Sequence, residues 1–93
     1  MSYEGAVHFT TYCLARMGER KLSPEQVEAV LRSPDQDLPA KKGRRVAQSL
    51  TTSPRRGRRP LIRVFYEESG GERVVVNAYL TERPERYWEG DLP

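Results

Sequence analysis

The 93-residue sequence predicts an α+β domain in which two N-terminal helices pack on a three- to four-stranded antiparallel sheet. Apolar residues recur at helical spacing in the first third of the chain, whereas three later segments alternate and are rich in β-branched residues. Short turns join those segments, which favours antiparallel pairing, and helices that precede a run of strands are typical of α+β folds. A chain of this length is expected to form one domain over residues 1–93.

The first helix is predicted over residues 9–20. Cys13 and Met17 lie one turn apart on its apolar face, and Thr10 or Thr11 can cap its start. Because the Cys13 thiol belongs to the apolar face, we expect it to contribute to packing.

The second helix has a defined beginning and end. Ser23 and Gln26 form an S-x-x-Q capping box, and Pro24 occupies the first helical position. The helix is expected to end at Ser33, because Pro34 disfavours the helical conformation of the residue before it.

Strands are predicted over residues 45–52, 61–67 and 73–80. Residues 35–39 are expected to form a connector or a short edge strand, and residues 1–8 an extended lead-in. The C-terminal tail, although rich in charge, contains a tyrosine and a tryptophan that are costly to leave in water, so it is expected to fold back on the sheet.

The last predicted strand has polar residues among apolar ones. Regular alternation places Val74, Val76, Ala78 and Leu80 on one face and Val75, Asn77 and Tyr79 on the other. A buried amide has to find partners or border a cleft, so Asn77 and Tyr79 are expected to mark the open side of the sheet.

Positive charge is concentrated in the middle of the chain. Nine of the 16 basic residues lie between Lys41 and Arg63, and this segment contains no Asp or Glu. Two clusters within it are expected to attract nucleic acid through phosphate contacts, and they comprise Lys41, Lys42, Arg55, Arg56, Arg58 and Arg59. The alternative for the R-R-G-R-R part is an exposed loop that only aids solubility.

Several classes of protein are excluded by composition. One cysteine, Cys13, and one histidine, His8, predict neither a disulfide nor a structural metal site, and no cofactor site is indicated. The N-terminus lacks the features of a signal peptide, and no apolar run is long enough to span a bilayer. We therefore expect a cytoplasmic protein that does not enter the membrane.

Most of the chain resembles the DUF4258 family, small bacterial domains of unknown function. The resemblance begins with TTYCLARMGERKLSPEQVEAVLRSPD, which is similar to a family opening of the kind T-x-H-A-x-x-R-M-x-x-R-G-I-S. Arg16, Met17, Arg20 and Ser23 match that opening, whereas Tyr12 stands at its histidine position. The later segments KKGRRVAQ, LIRVFY and VVVNAYLTERPERYW also resemble the family's strands and its end.

This resemblance implies a fold and an activity. The family is similar to the RelE-like and BrnT-like ribonuclease toxins, in which helices pack on an antiparallel sheet and RNA is cleaved on that sheet without a metal. It implies RNA or another nucleic acid as a partner, and an acidic antitoxin-like protein as a second possible partner. Tyr12 replaces the histidine of helix one, and this departure puts catalysis by this chain in question.

Cleavage of RNA without a metal requires a base, an acid and cations that stabilise the charge on phosphorus. The candidate catalytic residues are Arg44, Arg45 and Arg63 as phosphate ligands, Tyr79 or His8 as the proton donor or acceptor, and Tyr12 as a hydrogen-bond donor. Two of them have a structural alternative: Arg63 can pair with Glu67 or Glu72, and Tyr12 can join Arg16 and Arg20 in a buried hydrogen-bonded network.

Two functions of different classes remain open from the sequence. The first is an RNA-binding protein that also cleaves RNA as a metal-independent endoribonuclease. The second is a non-catalytic module of the same fold that binds nucleic acid or a protein through its basic rim.

Overall fold

Two helices cover one face of a five-stranded mixed sheet in the computed structural model, which describes residues 2–52 and 59–93. The helices are α1 (Thr11–Glu19) and α2 (Pro24–Arg32), and the strands are β1 (Val7–Phe9), β2 (Gln36–Pro39), β3 (Arg45–Leu50), β4 (Leu61–Ser69) and β5 (Glu72–Thr81). The spatial order of the strands is β1-β5-β4-β3-β2. Neighbouring strands are antiparallel except for β1, which runs parallel to β5.

The predicted α+β class and its two helices are confirmed, but the predicted sheet of three to four antiparallel strands is wrong. The fifth strand is β1, which comes from the lead-in and pairs with β5 from Val7↔Arg73 to Phe9↔Val75. Its partner lies more than sixty residues away, so no local turn signals the pairing. The connector at residues 35–39 adopts its strand alternative and forms the opposite edge as β2.

Side-chain caps fix where both helices begin. Thr10 Oγ1 accepts a hydrogen bond from the Cys13 N–H at 3.0 Å, and the Thr10 N–H binds the Val75 carbonyl at 3.1 Å. Phe9 therefore belongs to β1 and not to the helix predicted over residues 9–20. In α2 the predicted capping box is present, with the Gln26 N–H to Ser23 Oγ at 3.1 Å and the return bond at 2.9 Å.

The main core lies between the helices and one face of the sheet. Its buried members are Cys13, Met17, Leu22, Val27, Val30 and Leu31 from the helical part and Ala47, Ile62, Val64, Tyr66, Val75 and Ala78 from the strands. The prediction that Cys13 contributes to packing is confirmed, since its side chain is fully buried and its Sγ lies 3.6 Å from Met17 Sδ. The strand residues between these core positions face the other side, which is called the open face below.

A β-bulge changes the alternation of β5. Phe65 pairs with Asn77 and the next residue, Tyr66, pairs with Val75, so Val76 has no Cα partner on β4. Val75 and Ala78 both belong to the helix-side core although three positions separate them. The extra residue therefore puts Asn77 and Tyr79 on the open face while Val75 stays inside.

The C-terminal tail folds back on the open face, as predicted. Gln36 and the Glu89 backbone form a reciprocal pair, with Nε2 donating to the carbonyl at 2.7 Å and Oε1 accepting from the N–H at 3.0 Å. Gln48 Nε2 donates to the Tyr87 carbonyl at 3.0 Å. Among the helices of the described residues, none is long and apolar enough to cross a membrane.

Candidate nucleic-acid interface

A cleft of about 580 Å³ opens on the face of the sheet opposite the helices. Its floor is formed by β4 and β5, the tail supplies one wall, and the turn between β2 and β3 supplies a basic rim. The residues that matter below are Arg63, Phe65, Asn77 and Tyr79 on the floor, Tyr87 on the wall, and Lys41, Lys42 and Arg44 on the rim. We call this set the open-face cleft.

Arg63 lies among three aromatic rings. Its guanidinium carbon is 4.3 Å from the ring centre of Tyr87, 5.1 Å from that of Phe65 and 5.9 Å from that of Tyr79. Nη1 donates to the Tyr79 hydroxyl at 2.8 Å, and no described residue accepts a hydrogen bond from Nη2. The predicted alternative of a pair with Glu67 or Glu72 is not formed, so Arg63 keeps donor capacity for a ligand.

Gln48 on β3, the cross-strand partner of Arg63, holds the arginine in place from the side. Its side chain is completely buried, its Oε1 accepts from Arg63 Nε at 2.9 Å, and its Nε2 donates to Gln36 Oε1 at 2.7 Å. Gln48 was not among the residues predicted to belong to a site. A signal was present, because a glutamine next to the apolar residues Val46 and Ala47 of a predicted strand raises the same question about hydrogen-bond partners as Asn77.

The rim carries three cations with different partners. Arg44 Nε donates to Glu67 Oε1 at 2.9 Å, and both side chains remain partly exposed. Lys41 and Lys42 are exposed and form no ion pair with any described residue. Lys42 has a left-handed backbone with φ 61, which costs a non-glycine residue on the order of 1 kcal/mol. This tight turn places both lysines in the lining of the cleft.

Arg45 points to the helix side of the sheet, away from the cleft. Its Nε donates to Asp37 Oδ1 at 3.1 Å and its Nη2 to the Asp37 carbonyl at 3.1 Å, while the Tyr66 hydroxyl donates to Asp37 Oδ2 at 2.7 Å. The hydrogen bond with Asp37 raises the pKa of Arg45. Burial, reinforced by the hydrogen bond to Asp37, raises the pKa of Tyr66 to about 12. These contacts give Arg45 a structural role.

His8 and Tyr12 also lie outside the cleft lining. His8 is exposed on β1 at the edge of the sheet, where its Nε2 is 3.1 Å from Glu72 Oε1. Tyr12 is 58% exposed on α1, on the other side of the sheet, and its hydroxyl accepts from Arg16 Nε at 3.2 Å. That hydrogen bond raises the pKa of Arg16. Of the six predicted catalytic residues, the structure therefore brings together Arg44, Arg63 and Tyr79.

Arg20 separates from its neighbours on α1 and reaches the sheet. Its Nη1 donates to Asn77 Oδ1 at 2.9 Å and to the Ala78 carbonyl at 2.8 Å. The predicted buried network of Tyr12, Arg16 and Arg20 is therefore not formed. Tyr12 and Arg16 form an exposed pair on α1, whereas Arg20, at the end of α1, contacts β5. Arg20 connects the helix layer to a residue that lines the cleft.

The remaining predicted phosphate contacts lie in the R-R-G-R-R segment. Arg59 is exposed, and its Nη1 donates to the Pro93 carbonyl at 3.0 Å. Arg55, Arg56 and Arg58 lie outside the described residues. Within residues 2–52 and 59–93, no three His, Cys, Asp or Glu side chains are grouped so that they could hold a metal ion.

No family model, curated protein or solved structure matches this chain. The chemistry of the cleft therefore carries the functional argument. The cleft combines three aromatic rings, an arginine with a free donor and basic side chains on its rim. Groups of these kinds can stack on bases and attract phosphates.

Proposed function

We propose that this protein binds single-stranded RNA in the open-face cleft. The observation that carries the proposal is the position of Arg63, whose guanidinium lies among Phe65, Tyr79 and Tyr87 beside the basic rim. The resemblance to ribonuclease-like domains supports RNA as the class of nucleic acid.

The aromatic rings suit unpaired bases. Phe65 and Tyr79 stack with ring centres 6.0 Å apart and an interplanar angle of 18°, and Tyr87 meets Tyr79 edge to face at 6.4 Å. Stacking of a base on an aromatic side chain contributes about 1–3 kcal/mol and does not depend on the identity of the base. A duplex keeps its bases stacked on each other, so this floor favours a single strand.

The electrostatics of the cleft favour an anion. Its lining within the described residues contains four cationic side chains, Lys41, Lys42, Arg44 and Arg63, and no carboxylate. Each phosphate contact with a single strand releases counterions, so affinity falls with salt by a log–log slope of about 0.7 per phosphate. The sheet positions Arg63 by hydrogen bonds, whereas the lysines act at longer range as exposed charges.

A pair of double variants tests the proposal. We expect Lys41→Ser/Lys42→Ser to weaken binding of a labelled RNA oligonucleotide and to lower the salt slope by up to about 1.4, because two phosphate contacts are lost. The matched control, Arg16→Ser/Lys21→Ser, removes the same charge from the helix side and should leave the slope unchanged. Fluorescence anisotropy over a range of salt concentrations measures both.

Equal effects of the two double variants would contradict a cleft-centred interface. Binding of neither RNA nor DNA at low salt would overturn the proposal, and an acidic protein would then be the partner that best fits the basic rim. Tighter binding of DNA than of RNA would assign the cleft to single-stranded DNA.

Cleavage of RNA is the second candidate function. It is favoured by the convergence of Arg44, Arg63 and Tyr79 in one cleft, which provides two cations and a hydroxyl for proton transfer. Incubation of labelled RNA with the protein in EDTA should yield fragments, and Tyr79→Phe should abolish them while binding persists. Intact RNA under conditions of full binding would leave the protein as a binding module.

A further inference from the structure

Asn77 lines the open-face cleft, and its amide has an occupied oxygen and a free nitrogen. Its Oδ1 accepts hydrogen bonds from Arg20 Nη1 at 2.9 Å and from the Ala78 N–H at 3.0 Å, and both partners are obligate donors. Nδ2 has no hydrogen-bond partner among the described residues, in which no buried side-chain nitrogen or oxygen lacks one. This nitrogen is therefore open to solvent, as a donor whose orientation is fixed.

The position of Asn77 suits the edge of a base. Asn77 on β5 pairs with Phe65 on β4, which pairs with Val46 on β3 beside the rim turn. Neighbouring strands are about 4.8 Å apart, so Asn77 and the rim side of the cleft are separated by roughly 10 Å. A nucleotide has a similar length from its phosphate to the far edge of its base. A phosphate on the rim thus brings a base over Phe65 and its edge to Asn77.

We infer that Asn77 is a specificity-determining residue that selects bases with a carbonyl oxygen at this edge, uracil or guanine, over cytosine and adenine. The inference rests on the proposed binding of single-stranded RNA. Uracil O4 and guanine O6 accept a hydrogen bond, whereas cytosine and adenine place an amino group at the corresponding position. The usual bidentate contact of asparagine with adenine needs its oxygen, which Arg20 and Ala78 already occupy.

The other free side-chain groups of the cleft strengthen this selection. Arg63 Nη2, the ammonium groups of Lys41 and Lys42, and the hydrogen of the Tyr79 hydroxyl are all donors. Among them only the Tyr79 hydroxyl oxygen, which already accepts a hydrogen bond from Arg63 Nη1, could also accept one from the amino group of cytosine or adenine. An amino group that is buried in the cleft without an acceptor costs free energy. Cytosine and adenine therefore bind less tightly for two reasons, the missing hydrogen bond to Asn77 and this cost.

Two homopolymers separate this selection from general phosphate binding. Oligo(U) and oligo(C) of about ten nucleotides, within the usual site size, carry the same phosphate charge and differ at the group that Asn77 meets. We expect the protein to bind oligo(U) about fivefold more tightly than oligo(C), which is the effect of one hydrogen bond. Fluorescence anisotropy at one fixed salt concentration gives the ratio.

Asn77→Asp replaces the amide donor by a carboxylate acceptor of nearly the same shape. One carboxylate oxygen keeps the bonds to Arg20 and Ala78, and the other offers the cleft an acceptor, which is suited to the amino group of cytosine. The added negative charge weakens the binding of both oligonucleotides. The measured quantity is therefore the ratio of their two affinities, which we expect to change in favour of oligo(C). Ala40→Asp, on the rim, adds the same charge away from Asn77 and should preserve the wild-type ratio.

The outcomes distinguish the two proposals. Binding of both homopolymers with equal affinity overturns the role of Asn77 and leaves RNA binding intact. An unchanged ratio in a folded Asn77→Asp variant, with folding checked by its thermal unfolding curve, also overturns that role. Binding of neither homopolymer overturns the proposed function itself. If the Asn77→Asp variant does not fold, the ratio of the wild-type affinities for oligo(U) and oligo(C) still tests the role of Asn77.

Discussion

Tyr66 has an apolar environment and a single acidic partner. Its ring is fully buried in the helix-side core, and the guanidinium carbon of Arg73 lies 4.6 Å from its centre. The hydroxyl donates to Asp37 Oδ2, and Asp37 also binds Arg45. These contacts connect the edge strand β2 to β3 and β4 from the helix side.

The stability that Tyr66 provides is expected to depend on pH in the alkaline range. Burial, and then the hydrogen bond to Asp37, raises its pKa from 10.0 to about 12, so the folded state favours the protonated phenol. The contribution is therefore complete below pH 10 and is lost as the pH rises towards 12. Chemical denaturation of the wild type and of Tyr66→Phe across this range should show their difference in unfolding free energy shrinking.

Tyr12→Phe is the matched control for this experiment, because Tyr12 is exposed on α1. Its difference from the wild type should stay small and constant over the same pH range. A Tyr66→Phe difference that does not change between pH 10 and 12 would contradict the assigned role of the phenol.

Single residues also show the limits of sequence reasoning about the site. Arg44 and Arg45 are adjacent and both basic, but strand geometry directs one to the cleft and the other to Asp37 on the opposite face. Arg63 and Tyr79 were both among the candidate catalytic residues predicted from the sequence, and the structure brings them together in the cleft. The sequence did not predict Gln48, although a polar residue within a predicted strand was a signal for it. It predicted that the tail returns to the sheet, but not that Tyr87 forms a wall of the cleft, since this depends on where the tail lies.

At the scale of elements, α1 protects an edge that β1 leaves open. β1 pairs with β5 only as far as Val75, and the polar backbone groups of the next residues need other partners. Arg20 binds the Ala78 carbonyl, and the Asn77 side chain binds the Ala78 N–H. A helix terminus and an amide side chain thus replace the missing strand and prevent an exposed edge from pairing with another chain.

Loss of the Arg20 contact should destabilise the fold measurably. Arg20→Ala leaves the Ala78 carbonyl and Asn77 Oδ1 without their charged donor, and we expect it to lower the unfolding free energy by about 1 kcal/mol. Arg16→Ala removes an exposed i,i+3 ion pair with Glu19, which solvent screens, and should lower the unfolding free energy by less than Arg20→Ala does. Urea denaturation measures both, and equal losses would refute the edge-protecting role.

The elements with local signals were predictable, and those that depend on distant pairing were not. The capping box of Ser23 and Gln26 fixed the start of α2 within four residues of sequence. In contrast, Val7–Phe9 carries little information, because its strand conformation follows from a parallel partner near the other end of the chain. Long-range pairing is a property of the assembled sheet and not of the segment.

At the scale of the whole molecule, the two faces of the sheet are stabilised in different ways. The helix side is an apolar core, whereas the open side is held by amides that connect β2, β3 and the tail. The helix-side core contains no residue of the tail. The tail is therefore expected to stabilise the cleft more than the fold.

Removal of residues 84–93 tests this division. We expect the truncated protein to remain folded by circular dichroism, with Tm lowered by about 5–10 °C, because Gln36 and Gln48 lose their backbone partners. RNA binding should weaken further through the loss of Tyr87. Truncation of residues 91–93 alone should have little effect on either measurement. Complete unfolding of the longer truncation would show that the fold requires the tail and would contradict this division.

The bulge at Val76 has a consequence for how this chain is compared with others. A protein of the same architecture that lacks the extra residue has a strand in which odd and even positions keep their sides throughout. An alignment without a gap at the extra residue would pair Asn77 and Tyr79 with core positions of the other protein. Two proteins that share the cleft would then appear to differ in it. Searches for relatives of this chain should therefore permit a single-residue insertion within its last strand.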